Sequence, residues 1–483
     1  MEKIYDVINI REFGASPNGD VDCSDIFKKA ENSLTNGGII YFPRGDYLFE
    51  SPVRISRSNL TIIGNGKHSR IIYTYEQKEE DSAITASLFS FEDNVSHINV
   101  KDLYLEYKGE FFDEAQKSYF GKVSAFYFGI CFDVSFENVE VTRFNSNAIA
   151  FIGSSSEYSK RLKVDKCYLH HNRVAGVLYG YVDGISITNN NLEYHGSKSD
   201  GGTGYGCAGS SGGIPLNVQI IGNKASFNYR KGIDLHAGKK ALIEGNICEG
   251  NVLSGIYAEG RYTNDITITG NMITNMYLEN PPYQPEATFT WMECIGFGFY
   301  GGIQNDREER NFTICENEIS GFSYENGSGI LFHCYYGLHC GTIQIKNNIV
   351  KAGKIGNIAV FSGKGIHTEK CENVISITGN HFKFDECKGN MFVASSFDTL
   401  DFSHNRISGE KAMYPFILTP GGNNGAFFAS YNNLSFKEML KNEKTSLRDS
   451  TETEKLYFEL GDKAPYDYPK IIKDNVLNGK IIN

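Results

Sequence analysis

An aliphatic–polar–aliphatic phrase ending in asparagine returns again and again between about Phe144 and Ser408. It reads ISITNNNL around Asn190, VQIIGNKA around Asn223, ALIEGNIC around Asn246 and ITITGNMI around Asn271. It continues as FTICENEI around Asn317, IQIKNNIV around Asn348, ISITGNHF around Asn380 and LDFSHNRI around Asn405. The intervals are 33, 23, 25, 46, 31, 32 and 25 residues, and 46 reads as two turns of 23. One unit length therefore survives with insertions, which is the mark of a solenoid.

Within each phrase apolar and polar residues alternate with period two, so the unit is strand-like and no part of it carries a helical period. A unit of about 23 residues made of short strands and corners cannot bury a face alone, and must stack on its neighbours. The expected fold is all-β, a right-handed parallel β-helix. Each phrase asparagine is expected inside its corner, its amide bonding backbone groups that the turn leaves unpaired. Cys167 and Val139 fill the same slot in earlier coils, so the slot faces inward.

Composition fits one long solenoid. With 51 Gly and only 11 Pro, the chain has the residues that tight corners need and few that would break a ladder. A net charge of −11 makes nucleic acid an unsuitable partner, while an anionic sugar polymer can still be met by local Lys and Arg. No run approaches the length needed to cross a membrane. Of the eleven cysteines, Cys167, Cys248, Cys294, Cys315 and Cys340 lie in or beside apolar, strand-like phrases and read as buried free thiols. The odd count, the lack of a CxxC pair and the lack of an apolar signal segment after Met1 point to a reducing compartment: a cytoplasmic protein or one associated with a phage virion.

The expected organisation is an N-terminal cap over residues 1–50, the parallel β-helix over 51–430, and an appendage over 431–483 with one helical phrase, KEMLKNEK. In the first segment a strand to Ile10 and a Gly-, Pro- and Asp-rich loop precede a helix from about Ser24, with Ile26, Phe27 and Ala30 on one face. A strand through Ile39 to Phe42 comes next. The helix can cover the open end of the first coil, as an exposed parallel edge requires.

The residues EFGASPNGDVDCSDIFKKA followed by GGIIYFPRGDYLF resemble the opening segment of the pectate-lyase-like β-helix superfamily of polysaccharide lyases, glycoside hydrolases and phage tailspikes. The resemblance covers about the first 50 residues and implies a carbohydrate-active protein, although no catalytic residue lies in that segment.

Chemistry belongs where polar groups project from a strand face. Aligned on their asparagines, AGVLYGY (Ala175 to Tyr181), KGIDLHAG (Lys231 to Gly238) and SGIYAEGR (Ser254 to Arg261) form one such face. Val177, Ile233, Leu235, Ile256 and Ala258 should point in, and Asp234, His236, Tyr257, Glu259 and Arg261 out. Asp234, His236, Tyr257 and Glu259 are the candidate catalytic residues, with Arg230, Lys231 and Arg261 as cations at the rim. Lyase or epimerase chemistry on a uronate needs this set: a base for the proton beside the carboxylate, a cation for the enolate and an acid for the leaving oxygen. The Asp234-Leu235-His236 phrase is similar to the Asp-Pro-His-Glu strand of alginate C5-epimerases. Leu235 and Ala237 replace Pro and Glu, and Lys231 stands where that family has Tyr, so only Asp234 and His236 carry over. A hydrolase would instead use Asp234 and Glu259, at roughly 8 Å, as an inverting pair.

Two insertions flank this face. The Gly-rich stretch from Glu193 to Gly213 reads as a substrate lip contributing His195, Lys198 or Asp200. The second, around Tyr283, Phe289 and the lone Trp291, offers an aromatic platform for a sugar ring. His333 is read in the His236 register. No cofactor is expected; calcium on Asp200, Asp234 and Glu249 is the one candidate, and their spacing does not demand it. The sequence thus points to a protein that binds and cleaves a polysaccharide, uronate β-elimination standing ahead of hydrolysis. The alternatives are a uronan epimerase and a non-catalytic glycan-binding or structural tail protein, which would assemble as a tailspike-like homotrimer.

Overall fold

Residues 6–109, 121–196, 203–210, 212–260, 262–274, 292–299, 309–323, 329–336, 341–363, 373–394, 397–419, 425–441, 458–460 and 470–482 are described, in a computed structural model. The chain divides into two compact units, one holding Met1–His236 and the other Ala237–Pro281 and Pro285–Asn483. Both are stacks of parallel coils. None of the helices among the described residues is long and apolar enough to cross a membrane.

Three strands make a coil, and each pairs in parallel with its counterpart in the next coil. In the first unit, Cys131–Thr142, Ser159–Asp165, Val182–Thr188 and Leu216–Ile221 lie side by side, with Val134, Leu162, Ile185 and Val218 in register. These four side chains are buried, and the polar residues between them face out. The short strands Tyr168–His170, Asn191–Glu193 and Lys224–Ser226 form a second face. The third face carries the site. Its strands are β1 (Ala175–Tyr179), β2 (Tyr205–Gly209) and β3 (Lys231–Asp234) in the first unit, and β4 (Ser254–Gly260), β5 (Met292–Phe299) and β6 (Gly329–Tyr336) in the second.

The corner between the first two faces holds the phrase asparagines, which form the expected inward ladder. In the second unit Asn246, Asn271, Asn317, Asn348, Asn380, Asn405, Asn432 and Asn475 are all buried. From Asn271 to Asn475 each Oδ1 accepts the backbone N–H and the side-chain amide of the asparagine one coil before, as where Asn348 Oδ1 takes both from Asn317 at 3.0 Å. Each Nδ2 donates to a carbonyl of the previous coil, such as Asn348 to Ile314 at 3.0 Å. Cys167 stands in the same slot in the first unit, giving its N–H to Asn190 Oδ1 at 2.8 Å. The residue before each ladder asparagine is left-handed whether it is Gly245 (φ 62°), Glu316 (φ 57°) or Tyr431 (φ 55°). The stacked amides over-determine that strain, and glycine is simply the residue that adopts the conformation without cost.

The N-terminal helix α1 (Ser24–Ser33) covers the first coil as expected. Its Phe27 ring lies 6.2 Å from Phe42 and 5.2 Å from Phe89. Buried Glu31 accepts the N–H groups of Ser56 and Arg57 at 3.2 Å and pairs with Lys28 at 2.6 Å. Phe89, Phe126, Phe128 and Phe151 continue this apolar interior coil by coil.

Three expectations change. The interval of 46 residues is one coil and not two, because Asn271 donates directly to Asn317 and Thr274 pairs with Ser320. The extra length is an insertion between two ordinary strands. The Gly-rich stretch Glu193–Gly213 is not wholly a lip, since it contains β2, whose Tyr205 and Cys207 pair with Lys231 and Ile233. Small residues hid a strand that alternates in the usual way. The phrase KEMLKNEK begins inside the strand Asn433–Lys441, where Leu434 and Phe436 are buried at period two, so pairing with the preceding coil overrides its helix-forming residues.

Candidate functional site

In the first unit the third face gathers an ion-paired cluster on β3 and the residues just after it. Ile233 and Leu235 are fully buried in the coil, so alternation sends Asp234 and His236 outward. Outward does not mean solvated here. Asp234 is 1 % exposed, with its Oδ2 3.2 Å from Lys231 Nζ and its Oδ1 2.9 Å from His236 Nδ1. Lys231 is buried as well, and of the three only His236 reaches solvent appreciably, its side chain 31 % exposed. Tyr179, buried on β1, donates its hydroxyl to the Asp234 carbonyl at 3.0 Å and fixes the strand at that point. Gly209 on β2 permits the close approach of the next coil, since a Cβ there would lie 2.9 Å from the His236 backbone nitrogen.

Burial pushes the Asp234 carboxyl up, but the His236 and Lys231 charges and hydrogen bonds outweigh it and hold it below the usual carboxylate value. It is therefore an anion between two nitrogen donors. With Nδ1–H given to Asp234, the neutral His236 ring keeps its basic lone pair on Nε2. Such an arrangement fixes the tautomer and orientation of an imidazole and offsets the charge it gains on taking a proton.

Beside this cluster, Arg230 lies with its Cζ 5.7 Å from the ring centroid of Tyr205 on β2, so the candidate rim cation is also a ring-stacking group. The expected surface role of His195 is wrong. Its side chain is fully buried in a second corner ladder, where Nδ1 accepts the backbone N–H of Asn172 at 3.2 Å and the His195 backbone N–H donates to Asn228 Oδ1 at 3.2 Å. Burial drives its pKa down to about 3, and it serves as a neutral stand-in for asparagine. Lys198, Asp200, Arg261, Tyr283, Phe289 and Trp291 lie outside the described residues.

In the second unit β4 presents half-buried Tyr257 and buried Glu259 on the outward side, while Ile256 and Ala258 point into the coil. Tyr257 is in register with Gly296 on β5, and Gly296 with His333 on β6. His333 thus shares the register line of Tyr257, while the slot of Glu259 continues through Gly298 to Tyr335. Sequence reasoning also missed the partner of His333. Glu293, 1 % exposed at the start of β5, places its Oε2 2.9 Å from His333 Nδ1. The signal was present in the MECIGFGF strand, but the insertion before it concealed the alignment.

Among the described residues no three His, Cys, Asp or Glu side chains group as metal ligands. Asp234, a candidate calcium ligand by sequence, has both oxygens engaged by nitrogen donors.

The geometry can be set beside known proteins. The family described as Rhamnogalacturonase A/epimerase, pectate lyase-like, matches residues 7–280, and the right-handed β-helix region matches residues 206–409. No curated protein matches the sequence. The pre-mature gene product 12 of bacteriophage phi29 is similar in structure at 12 % identity and a TM-score of 0.50, over 90 % of this chain and 72 % of that one. The A-module of the Azotobacter vinelandii mannuronan C-5 epimerase AlgE6 shares 15 % identity at a TM-score of 0.46, over 97 % and 98 % of the two chains. The Streptococcus pneumoniae surface adhesin PfbA shares 14 % identity at a TM-score of 0.47, over 92 % and 97 %. Likeness at such identity speaks for the fold alone. With the family match covering more than half of its length, the chain belongs to the rhamnogalacturonase A/epimerase, pectate lyase-like family of right-handed parallel β-helices.

Proposed function

We propose that the protein is an enzyme acting on a polysaccharide, and that it removes the proton beside a uronate carboxylate, leading to β-elimination. The observation that carries this reading is the grip of Asp234 on Lys231 and His236 at once. His236 Nε2 is the base, Asp234 orients the ring and offsets the imidazolium charge, and the nearby ammonium and guanidinium of Lys231 and Arg230 favour an anionic sugar. Tyr257 and Glu259, on β4 of the second unit, remain acid–base candidates of that unit.

Hydrolysis by an inverting pair of Asp234 and Glu259 is the weaker reading. A general acid needs a carboxyl whose pKa is raised, and that of Asp234 is lowered. As a water-activating base it would need solvent, and it is buried. Epimerisation shares the first proton abstraction but then returns a proton to the opposite face of the sugar instead of expelling the leaving oxygen.

The test is incubation with a panel of uronate polymers and neutral polysaccharides, with product analysis. Elimination yields an unsaturated uronate absorbing in the ultraviolet, hydrolysis yields a new reducing end without it, and epimerisation changes the sugar composition without cutting the chain. Cleavage of a neutral glycan without the chromophore would contradict the reading.

A further inference from the structure

On the second face of the first unit a histidine pair stands apart from the Asp234 cluster. Thr142, His170 and Glu193 share one register line, and Glu140 and Tyr168 share another two residues earlier. His170 is held on three sides. Its Nε2 lies 3.4 Å from Glu140 Oε1, its Nδ1 lies 3.3 Å from Thr142 Oγ1, and its ring stacks on Tyr168 at 4.1 Å. The same Nδ1 is 2.8 Å from Nδ1 of His171. His171 is exposed and turns the corner in the left-handed region, at φ 54°. Its ring stacks on Tyr194 at 5.0 Å, and Tyr194 stacks on Phe227 at 5.2 Å. Tyr194 and Phe227 are left-handed too, at φ 57° and 56°, where the asparagine corner of the same coils has Asn189 and Gly222. An aromatic residue carries strain in that conformation, so the contacts of the rings hold the column together.

Two imidazole nitrogens 2.8 Å apart hold one proton between them and not two. The Glu140 carboxylate only accepts, so the proton of the neutral His170 ring is on Nε2, and its Nδ1 takes the Nδ1–H of His171. One added proton goes to His171 Nε2 and leaves that bond intact. The next goes to His170 Nδ1, where it meets the N–H of His171 head on. Thr142 Oγ1 is then the acceptor for His170 Nδ1–H, so the inner ring keeps a partner at each nitrogen. The outer ring keeps only its stacking on Tyr194.

We propose that His170 and His171 form a proton-operated latch, which holds His171 on the Tyr194 ring until both imidazoles are protonated and then releases it. Glu140 and Arg143 face the pair from the coil before, and Tyr168 from its own strand. Glu193, Tyr194 and buried His195 face it from the coil after, where Glu193 is paired with Lys224 at 2.8 Å. Burial lowers the pKa of His171, and the charges of His170 and Arg143 lower it further, against an upward pull from Glu193. The latch is therefore closed above about pH 6.5 and opens as pH falls below it. Opening uncovers the Tyr194 ring and leaves two imidazolium groups beside Arg143, so an aromatic corner becomes a cationic one. This device is independent of the proposed elimination.

Histidine-selective nuclear magnetic resonance on the full chain, titrated from about pH 8 to about pH 4, tests the latch. The signals of the pair are assigned by their loss in His170→Gln and His171→Gln. In the parent, His171 is expected to respond to two proton-binding steps separated by about one pH unit or more, and to lose the ring-current shift from Tyr194 at the second only. In His170→Gln a single step is expected, with that shift kept throughout, because no second charge drives the ring away. A single step in the parent, or a ring-current shift that survives the whole titration, would overturn the proposal. Loss of the shift in His170→Gln at the parent's pH would overturn it too. So would opening that coincides with loss of the amide signals of the stacked coils, because unfolding would then be the cause.

Discussion

Asn271 gives its backbone N–H to Oδ1 of Asn317 at 3.0 Å although 46 residues separate them. The insertion between them leaves the corner undisturbed, because the ladder requires only that successive asparagines arrive one coil apart. Register is thus held by the corner, and inserted segments are free to grow between strands.

Replacing Asn271 with Ala tests the ladder. It removes the acceptor for Asn246, whose N–H and Nδ2 both reach Asn271 Oδ1 at 2.9 Å, and strips the Ile243 carbonyl of its donor. A loss of about 1 to 3 kcal/mol is expected in denaturant unfolding, from buried amides left unpaired. A midpoint equal to that of the parent would mean that the corner amides are satisfied without the ladder.

His195 makes stability fall in acid. Its folded pKa is lowered to about 3, chiefly by burial, against 6.5 for an ordinary histidine. The unfolded chain therefore binds the extra proton, so this contribution is complete above about pH 6.5 and is lost as pH falls toward 3. Since Nδ1 accepts from Asn172, the proton of the neutral ring is on Nε2, which is buried without a hydrogen-bond partner among the described residues. Asparagine fits the ladder without that cost. His195→Asn should raise stability by about 1 kcal/mol at neutral pH and flatten the decline between pH 6.5 and 3. Melting curves across that range check both effects.

Thiol chemistry should follow burial. Nine cysteines lie among the described residues as thiols, and all but Cys315 are buried. Burial pushes Cys131, Cys167, Cys248 and Cys387 up to about 12, so little thiolate is present at neutral pH. Among the described cysteines, a disulfide reagent should therefore label Cys315 first in the native protein, and unfolding should release the others. Rapid native labelling of Cys131 or Cys248 would contradict this packing.

Asp234→Asn should cost both folding and turnover. Sequence alone places Asp234 on an exposed face where substitution leaves stability alone, but the side chain is buried against Lys231. Removing the anion leaves a buried ammonium without its carboxylate, a loss of roughly 3 to 5 kcal/mol. Because the Asp234 pKa is lowered in the folded state, its contribution is present above the ordinary carboxylate pKa and is lost as pH falls through the folded value. Adding Lys231→Met should recover part of the melting temperature and none of the activity.

The sequence carried the fold because its strongest signal, the asparagine corner, is local and repeats. The alternation that buries Ile233, Leu235, Ile256 and Ala258 is equally legible, since period two comes from the strand itself. What alternation cannot tell is whether an outward residue is solvated, and so Asp234, Lys231 and Glu259 read as exposed until the coils are stacked. His195 reads as a loop residue because its slot belongs to a ladder in which Asn172 and Asn228 are its neighbours, too few positions to show a period. Glu293 and His333 meet across Gly296 through β5–β6 pairing, a relation between coils that no local pattern encodes.

The most direct measurement of the central claim is the turnover of His236→Ala on a uronate polymer that the parent cleaves, followed by ultraviolet absorbance of the unsaturated product. The His236 side chain is 31 % exposed and Asp234 keeps its bond to Lys231, so the variant should fold, with a melting temperature lowered by the one lost hydrogen bond to a buried carboxylate. A loss of about 10²-fold or more in kcat in a variant that remains folded is the predicted result. Parental rates of chromophore formation in a folded His236→Ala protein would contradict the claim that this imidazole takes the proton.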